Sequence, residues 1–174
     1  SYGTTVPAKS QALFGQMTTP VSEHLRATAG LRYTRDDKTY HYGVRSTPVW
    51  TGAGYDTGMM TVSNAYDAVT GKLGLEWDLS PQSMIYGQVA TGYKAGGFGI
   101  AAPPQAYEPE HLTAFELGSK NRFWGNRLQL NLEAFYWDYT NQQISFVGGV
   151  PSSTGLYTQG GVTVNAGTSR IYGS

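Results

Sequence analysis

The chain has 174 residues, zero formal net charge, no cysteine, 13% aromatic and 14% charged residues, and 23 glycines. Balanced charge argues against a nucleic-acid partner, which demands a basic face, and the lack of cysteine excludes disulfides, thiolate metal ligands and thiol nucleophiles. No apolar run approaches the roughly 20 residues of a membrane helix, but a transmembrane barrel alternates lipid-facing and lumen-facing residues and needs no such run.

Ser1 to Lys9 (SYGTTVPAK) contains Pro7 and reads as loop, an extra strand being the alternative. Gln11 to Thr18 (QALFGQMT) is short and rich in β-compatible residues. Leu25 to Tyr42 begins with a clean period of two: Leu25, Ala27, Ala29, Leu31 and Tyr33 in one phase, Arg26, Thr28, Gly30, Arg32 and Thr34 in the other. Lys72 to Leu79 repeats it, Leu73, Leu75, Trp77 and Leu79 against Lys72, Gly74, Glu76 and Asp78. Helices would instead repeat apolar residues every three or four positions, so these are antiparallel strands with one apolar face.

Ser83 to Ala95 is a Tyr- and Val-rich strand interrupted by glycine. Leu112 to Trp124 is either a strand or begins as a short helix after Pro109; Gly118 and the ending Phe123-Trp124 favour the strand. Arg127 to Phe146 opens with Leu128, Leu130, Leu132, Ala134 and Tyr136 opposite Arg127, Gln129, Asn131 and Glu133. Gly161 to Tyr172 reads as a last strand.

The connections alternate strictly. Thr19 to His24, Ser80 to Gln82 and Gly125-Asn126 are short; Gly43 to Tyr66, Gly96 to His111 and Val147 to Gly160 are long. Antiparallel strands place successive connections at opposite ends, so every short turn falls on one rim and every long loop on the other. Outer-membrane barrels show that segregation. Aromatics near strand ends, chiefly Trp77, Tyr93, Trp124, Tyr136 and Trp137, predict an interfacial girdle. The expected fold is all-β, an antiparallel transmembrane β-barrel segment. About seven strands cannot close a barrel of the bacterial single-chain type, whose strand numbers are even and start at eight, so the expectation is a portion of a larger barrel.

The stretches LRATAGLRYTRDDKTY (Leu25 to Tyr40), KLGLEWDLSPQSMIYGQVATGYKAGGFG (Lys72 to Gly99), YEPEHLTAFELGSKNRF (Tyr107 to Phe123) and LQLNLEAFYWDYTNQQI (Leu128 to Ile144) resemble the barrel of TonB-dependent receptors, with the closing VNAGTSRIYG similar to a strand leading onward. That resemblance implies a 22-stranded barrel in the outer membrane of a Gram-negative bacterium. It implies that residues 1–174 are a partial barrel domain, with the plug domain and TonB box absent from them. The implied cargo is a ferric siderophore or another scarce nutrient, and the implied partners are the TonB complex and outer-membrane lipid.

Motifs of other chemistries fail on their own terms. In Thr91 to Gly99 (TGYKAGGFG), Gly92 to Gly97 has phosphate-loop spacing, but Phe98 and Gly99 stand where Lys and Ser/Thr belong. Gly97-x-Gly99-x-x-Ala102 formally fits a dinucleotide fingerprint, yet Pro103-Pro104 forbids the helix it must open. His24, His41 and His111 are scattered without metal-ligand spacing. Glu108 and Glu110 would share one side of an extended segment, but read as solvated loop charges, and Asp36-Asp37-Lys38 as a charged strand exit. No G-x-S-x-G elbow is present. Neither an enzyme nor a cofactor is expected.

On the long-loop side, Arg45, Trp50, Tyr55, Tyr66, Tyr107 and Tyr157 combine aromatic rings with a guanidinium. They either capture a flat, anionic or chelate ligand by stacking and charge or pack the loops against one another. Two other function classes stand beside the receptor: a passive porin-like channel and a soluble all-β binding module. The apolar stripes Leu73/Leu75/Leu79 and Leu128/Leu130/Leu132 argue against the soluble module.

Overall fold

The computed structural model describes residues 5–46, 55–99, 104–151 and 157–174. Among them the secondary structure is strand throughout: β1 (Ala8–Pro20), β2 (Leu25–Ser46), β3 (Tyr55–Ser80), β4 (Ser83–Lys94), β5 (Gly97–Phe98), β6 (Ala106–Tyr107), β7 (Glu110–Phe123), β8 (Leu128–Thr140), β9 (Gln143–Pro151), β10 (Tyr157–Asn165) and β11 (Ser169–Gly173). One seven-stranded sheet runs β1-β2-β3-β4-β7-β8-β11, every neighbouring pair antiparallel. Its two outermost strands are not joined, so the sheet is open.

Register keeps the two faces chemically separate. Leu25 lies opposite Trp77, Ala27 opposite Leu75 and Ala29 opposite Leu73, while Arg26 faces Glu76 in the other phase. The apolar phase continues through Ile85, Val89, Phe115, Leu117 and Tyr136. A slip of one residue would exchange the faces of a whole strand. On the apolar face, Leu73 is 61% and Leu117 65% exposed. Side chains of this kind are left for lipid to cover in a membrane barrel.

The apolar band has a sharp upper limit. Along β2 it ends at Tyr33, and Arg35 follows in the same phase; along β3 it ends at Val69, and Asp67 follows. Asp138 closes it on β8. Arg35 is 3.4 Å from Asp37 and 3.6 Å from Asp67, and the Tyr33 hydroxyl donates to Asp67 at 2.5 Å. Leu25 to Tyr33 is thus about nine residues of apolar strand, the length a tilted strand needs to cross a bilayer.

The short connections agree with the sequence reading. Pro81-Gln82 joins β3 to β4, with the Gln82 amide donating to Ser80 Oγ at 3.2 Å. Gly125 and Asn126 have φ of 64° and 68°, the signature of a type I′ turn that matches strand twist. Leu112 to Trp124 is strand from its start: β7 runs from Glu110 to Phe123 with no helical turn. At the amino end the described residues begin at Thr5, which bridges His41, and β1 takes up the chain from Ala8.

Two expectations need correction. Most of two predicted long loops is ladder: β2 and β3 pair as far as Ser46 and Tyr55, and β9 and β10 from Gln143–Asn165 to Pro151–Tyr157. Above the apolar band neither face must be apolar, so alternation fades while backbone pairing continues. Conversely, Arg127 to Phe146 and Gly161 to Tyr172 are each broken. Asn141 (φ 54°) ends β8, Gly167 (φ 94°) precedes β11, and β9 and β10 form a two-stranded sheet of their own.

The lipid-face assignment makes a direct prediction. Leu75→Arg should destabilise the folded full-length gene product in lipid by about 2–4 kcal/mol, whereas Gln88→Lys, on the opposite face beside Glu116, should cost well under half of that. Denaturant titration of the protein refolded into vesicles measures both, and equal costs would refute the assignment.

Candidate functional site

The polar face carries a continuous hydrogen-bonded lining. Near the short turns the Arg26 guanidinium donates to both Asp78 carboxylate oxygens and, at 3.1 Å, to Glu76. Higher up, the Tyr86 hydroxyl donates to Glu133 at 2.6 Å while Lys120 Nζ lies 5.3 Å from the centre of its ring. That ring lies over Gly118, where an added Cβ would stand 2.5 Å from it. Gln88 donates to Glu116 on the same face. Carboxylates and cations alternate here, so the wall is polar without a strong excess of either charge.

The long-loop end holds a second arrangement. After β4 the chain turns back against β2 and β3. Gly97–Phe98 pairs with Ala106–Tyr107, and the Gly99 amide donates to the Gln105 carbonyl at 2.7 Å. Lys38 Nζ donates to the Gly96 carbonyl at 2.6 Å, holding the turn to β2. Tyr40 packs 5.8 Å from Tyr42 and 5.9 Å from Phe98, ring centre to ring centre. Tyr40 and Tyr66 are 3% and 8% exposed, two of the few buried apolar residues in the described part. Burial pushes the Tyr66 phenol above its ordinary pKa, and Asn64 Nδ2 donates to its oxygen at 3.2 Å.

Glycine at positions 96 and 97 follows from this contact. A Cβ on Gly96 would lie 2.6 Å from the Tyr66 ring and closer still to the Tyr107 carbonyl oxygen. A Cβ on Gly97 would lie 2.5 Å from the Tyr107 hydroxyl. Gly96 and Gly97 of TGYKAGGFG therefore permit a close approach of backbone to aromatic rings.

The next strands lean into the same region. Gln143, the first residue of β9, donates from its amide N–H to Glu110 at 2.6 Å. Its side-chain amide donates to the Ala95 and Glu108 carbonyls, both at 3.1 Å. Asn165, opposite it on β10, accepts from the Glu108 amide at 2.8 Å and donates to the Glu108 and Asn141 carbonyls at 2.9 Å.

Of the residues expected to bind ligand, Tyr107 is in this aromatic group, against Gly97. Tyr66, of the same loop-side set, packs the turn rather than facing solvent. Arg45 and Tyr55 lie at the tips of β2 and β3, and Tyr157 begins β10; for these the backbone alone is described. Trp50 lies outside the described residues. Of the expected girdle, Trp77 and Tyr136 are on the apolar face, and Trp124 is exposed in the β7–β8 turn with φ 52°. Trp137 is on the polar face, one residue out of phase with Tyr136, 5.0 Å from Phe135. Tyr93 packs 5.7 Å from His111. The Tyr93 hydroxyl and Trp137 Nε1 are buried without a hydrogen-bond partner among the described residues.

Lys38, Tyr40, Phe98, Gln143 and Asn165 were not among the residues that the sequence marked for this region. Lys38 and Tyr40 share a phase, which was a usable sign that both face the same way; nothing local marks Gln143 or Asn165. Among the described residues no group of three or more His, Cys, Asp or Glu is placed to hold a metal. A concavity of about 780 Å³ lined by Leu73, Leu75, Trp77, Gly87, Phe115 and Leu117 lies on the apolar face, where Gly87 leaves space between larger side chains.

Comparison with known proteins places this architecture. The family described as TonB dependent receptor-like, beta-barrel, matches residues 1–174, and the chain belongs to that family. Among solved structures, the ferric yersiniabactin uptake receptor FyuA of Yersinia pestis is similar over 98% of this chain and 24% of its own, with 19% identity and a TM-score of 0.73. The closed form of the ferric-catecholate import receptor Fiu of E. coli K12 matches over 98% and 25%, with 17% identity and a TM-score of 0.64. The hemophore receptor HasR of Serratia marcescens, solved with its hemophore HasA and heme, matches over 95% and 31%, with 18% identity and a TM-score of 0.63. The chain thus spans about a quarter to a third of the length of these receptors, and at such identities the likeness shows the shared fold.

The turn after β4 gives a prediction. Gly96→Ala should unseat it, at a cost of about 1–3 kcal/mol, because the Tyr107 carbonyl is backbone and cannot swing aside. Gly99→Ala, whose Cβ would sit 3.5 Å from the Gln105 carbonyl, should be near neutral. Limited proteolysis of the loop checks the pair, and equal sensitivity would contradict the packing described.

Proposed function

We propose that this chain is barrel wall of an outer-membrane receptor of a Gram-negative bacterium that imports a ferric siderophore or a similar scarce nutrient. Family membership over the whole chain carries this reading. It is supported by the resolved likeness to receptors for ferric yersiniabactin, ferric catecholates and a heme-carrying hemophore. The apolar band is the lipid-facing wall, the short turns lie on the periplasmic side and the long hairpins outside the cell.

In this reading ligand is captured from the outside by aromatic rings and a cation on the long hairpins: Arg45, Trp50, Tyr55, Tyr107 and Tyr157. Stacking suits a flat chelate, and a guanidinium suits its negative charge. Import then requires work supplied by the TonB complex through a region beyond these residues. The process moves a ligand and breaks no covalent bond, so it needs no catalytic group in this wall.

The test uses the complete gene product. Growth of a deletion strain on single iron sources, restored by the gene only when TonB is active, should name the cargo. Arg45→Ala should then weaken binding of an anionic cargo by roughly tenfold, about 1.4 kcal/mol, with Arg45→Lys intermediate. Steady ohmic conductance in planar bilayers, with no saturable binder among siderophores, heme, cobalamin or glycans, would instead support a passive channel.

A further inference from the structure

Two long-loop segments, distant in sequence, meet through side-chain amides. β9 and β10 leave the main sheet at a paired bend, where Asn141 and Gly167 both have positive φ. Backbone pairing crosses the bend through Gln142, whose amide donates to the Gly167 carbonyl at 2.9 Å and whose carbonyl accepts from Ala166 at 2.8 Å. Beyond it the hairpin is a separate two-stranded sheet, with no main-sheet strand paired to it among the described residues. A two-stranded hairpin is marginally stable by itself, so its orientation depends on what holds its base.

That hold is specific. Gln143 and Asn165 are directly opposite each other; between them they bond Ala95, Glu108 and Glu110, and Asn165 also donates to the Asn141 carbonyl at the bend. Gln143 follows β8 yet reaches past the start of β7 to Ala95, the residue after β4. Asn165 pairs with both the N–H and the carbonyl of Glu108, as a neighbouring strand would. The stretch it grips is the turn that Lys38 and Tyr66 seat against β2 and β3.

We propose that Gln143 and Asn165 form a latch joining the base of the β9–β10 hairpin to Ala95 and Glu108, so that the turn seated on β2 and β3 sets the hairpin's orientation at the bend and a shift of either is passed to the other. Resting on the receptor reading above, the latch makes a ligand held by either segment change the other. By linkage the coupling runs equally in both directions.

Hydrogen exchange on the complete gene product in detergent or lipid, without ligand, tests the latch independently of cargo. Asn165→Asp keeps size and an acceptor but removes both donors; Gln143→Ala removes the reach to Ala95. Each should speed exchange at Gly97 to Tyr107 by tenfold or more while β7 and β8 remain protected. Ser145→Ala, which breaks a 2.9 Å hydroxyl pair with Thr163 inside the hairpin, should leave Gly97 to Tyr107 unchanged. Reciprocally, Gly96→Ala should speed exchange in Gly161 to Asn165. Acceleration confined to the mutated segment in both directions, with the sheet intact, would overturn the proposal, and would do so whether or not the protein imports a siderophore.

Discussion

The structure depends on a seven-stranded antiparallel ladder whose side chains alternate between two unlike surroundings. With backbone groups satisfied between strands, the sheet can present Leu, Val and aromatic side chains on one face and charges on the other. Register is the binding constraint. Arg26 must meet Glu76 and Asp78, and Leu25 must meet Trp77, because the reverse would put a guanidinium in lipid at several kcal/mol. Within the band every charged residue lies in the polar phase, from Arg26 and Lys72 to Glu116 and Lys120.

Where Arg35, Asp67 and Asp138 enter the outward phase, that constraint lapses, and the chain changes character. Strands continue as hairpins with mixed faces, residues with positive φ become admissible, and aromatic rings are used for packing as well as for interfaces. Tyr40 and Tyr66 are buried there, while Leu73 and Leu117 in the band are open. The hydrophobic effect acts in two media: in the band the apolar residues are left for lipid, and above it they bury one another.

The strand phases, the short turns and the sequence-wide β character were legible in the residues, and the likeness to TonB-dependent receptor barrels was carried by stretches the family match includes. Less legible were the ends. Gly43 to Tyr66 looked like loop because polar and apolar residues no longer alternate, although the backbone still pairs to Ser46 and Tyr55. Asn141 and Gly167 stood inside runs that read as continuous, since one left-handed residue leaves little trace in hydropathy. Trp137 was grouped with Tyr136 by proximity in sequence, but adjacent strand residues point to opposite faces.

By itself the sequence determined which residues share a face, because a period of two is a local property that survives any distant contact. It also placed the β7–β8 turn at Gly125-Asn126, residues that tolerate positive φ, although Trp124 before them adopts positive φ as well. Tertiary structure alone decided why Gly96 and Gly97 are glycine, and what Lys38, Gln143 and Asn165 hold. Those contacts join Lys38 to a residue 58 positions away and Asn165 to one 57 positions away. Nothing in a local pattern encodes such a meeting, which arises only when the ladder has set β2, β4 and β8 at fixed places along one wall.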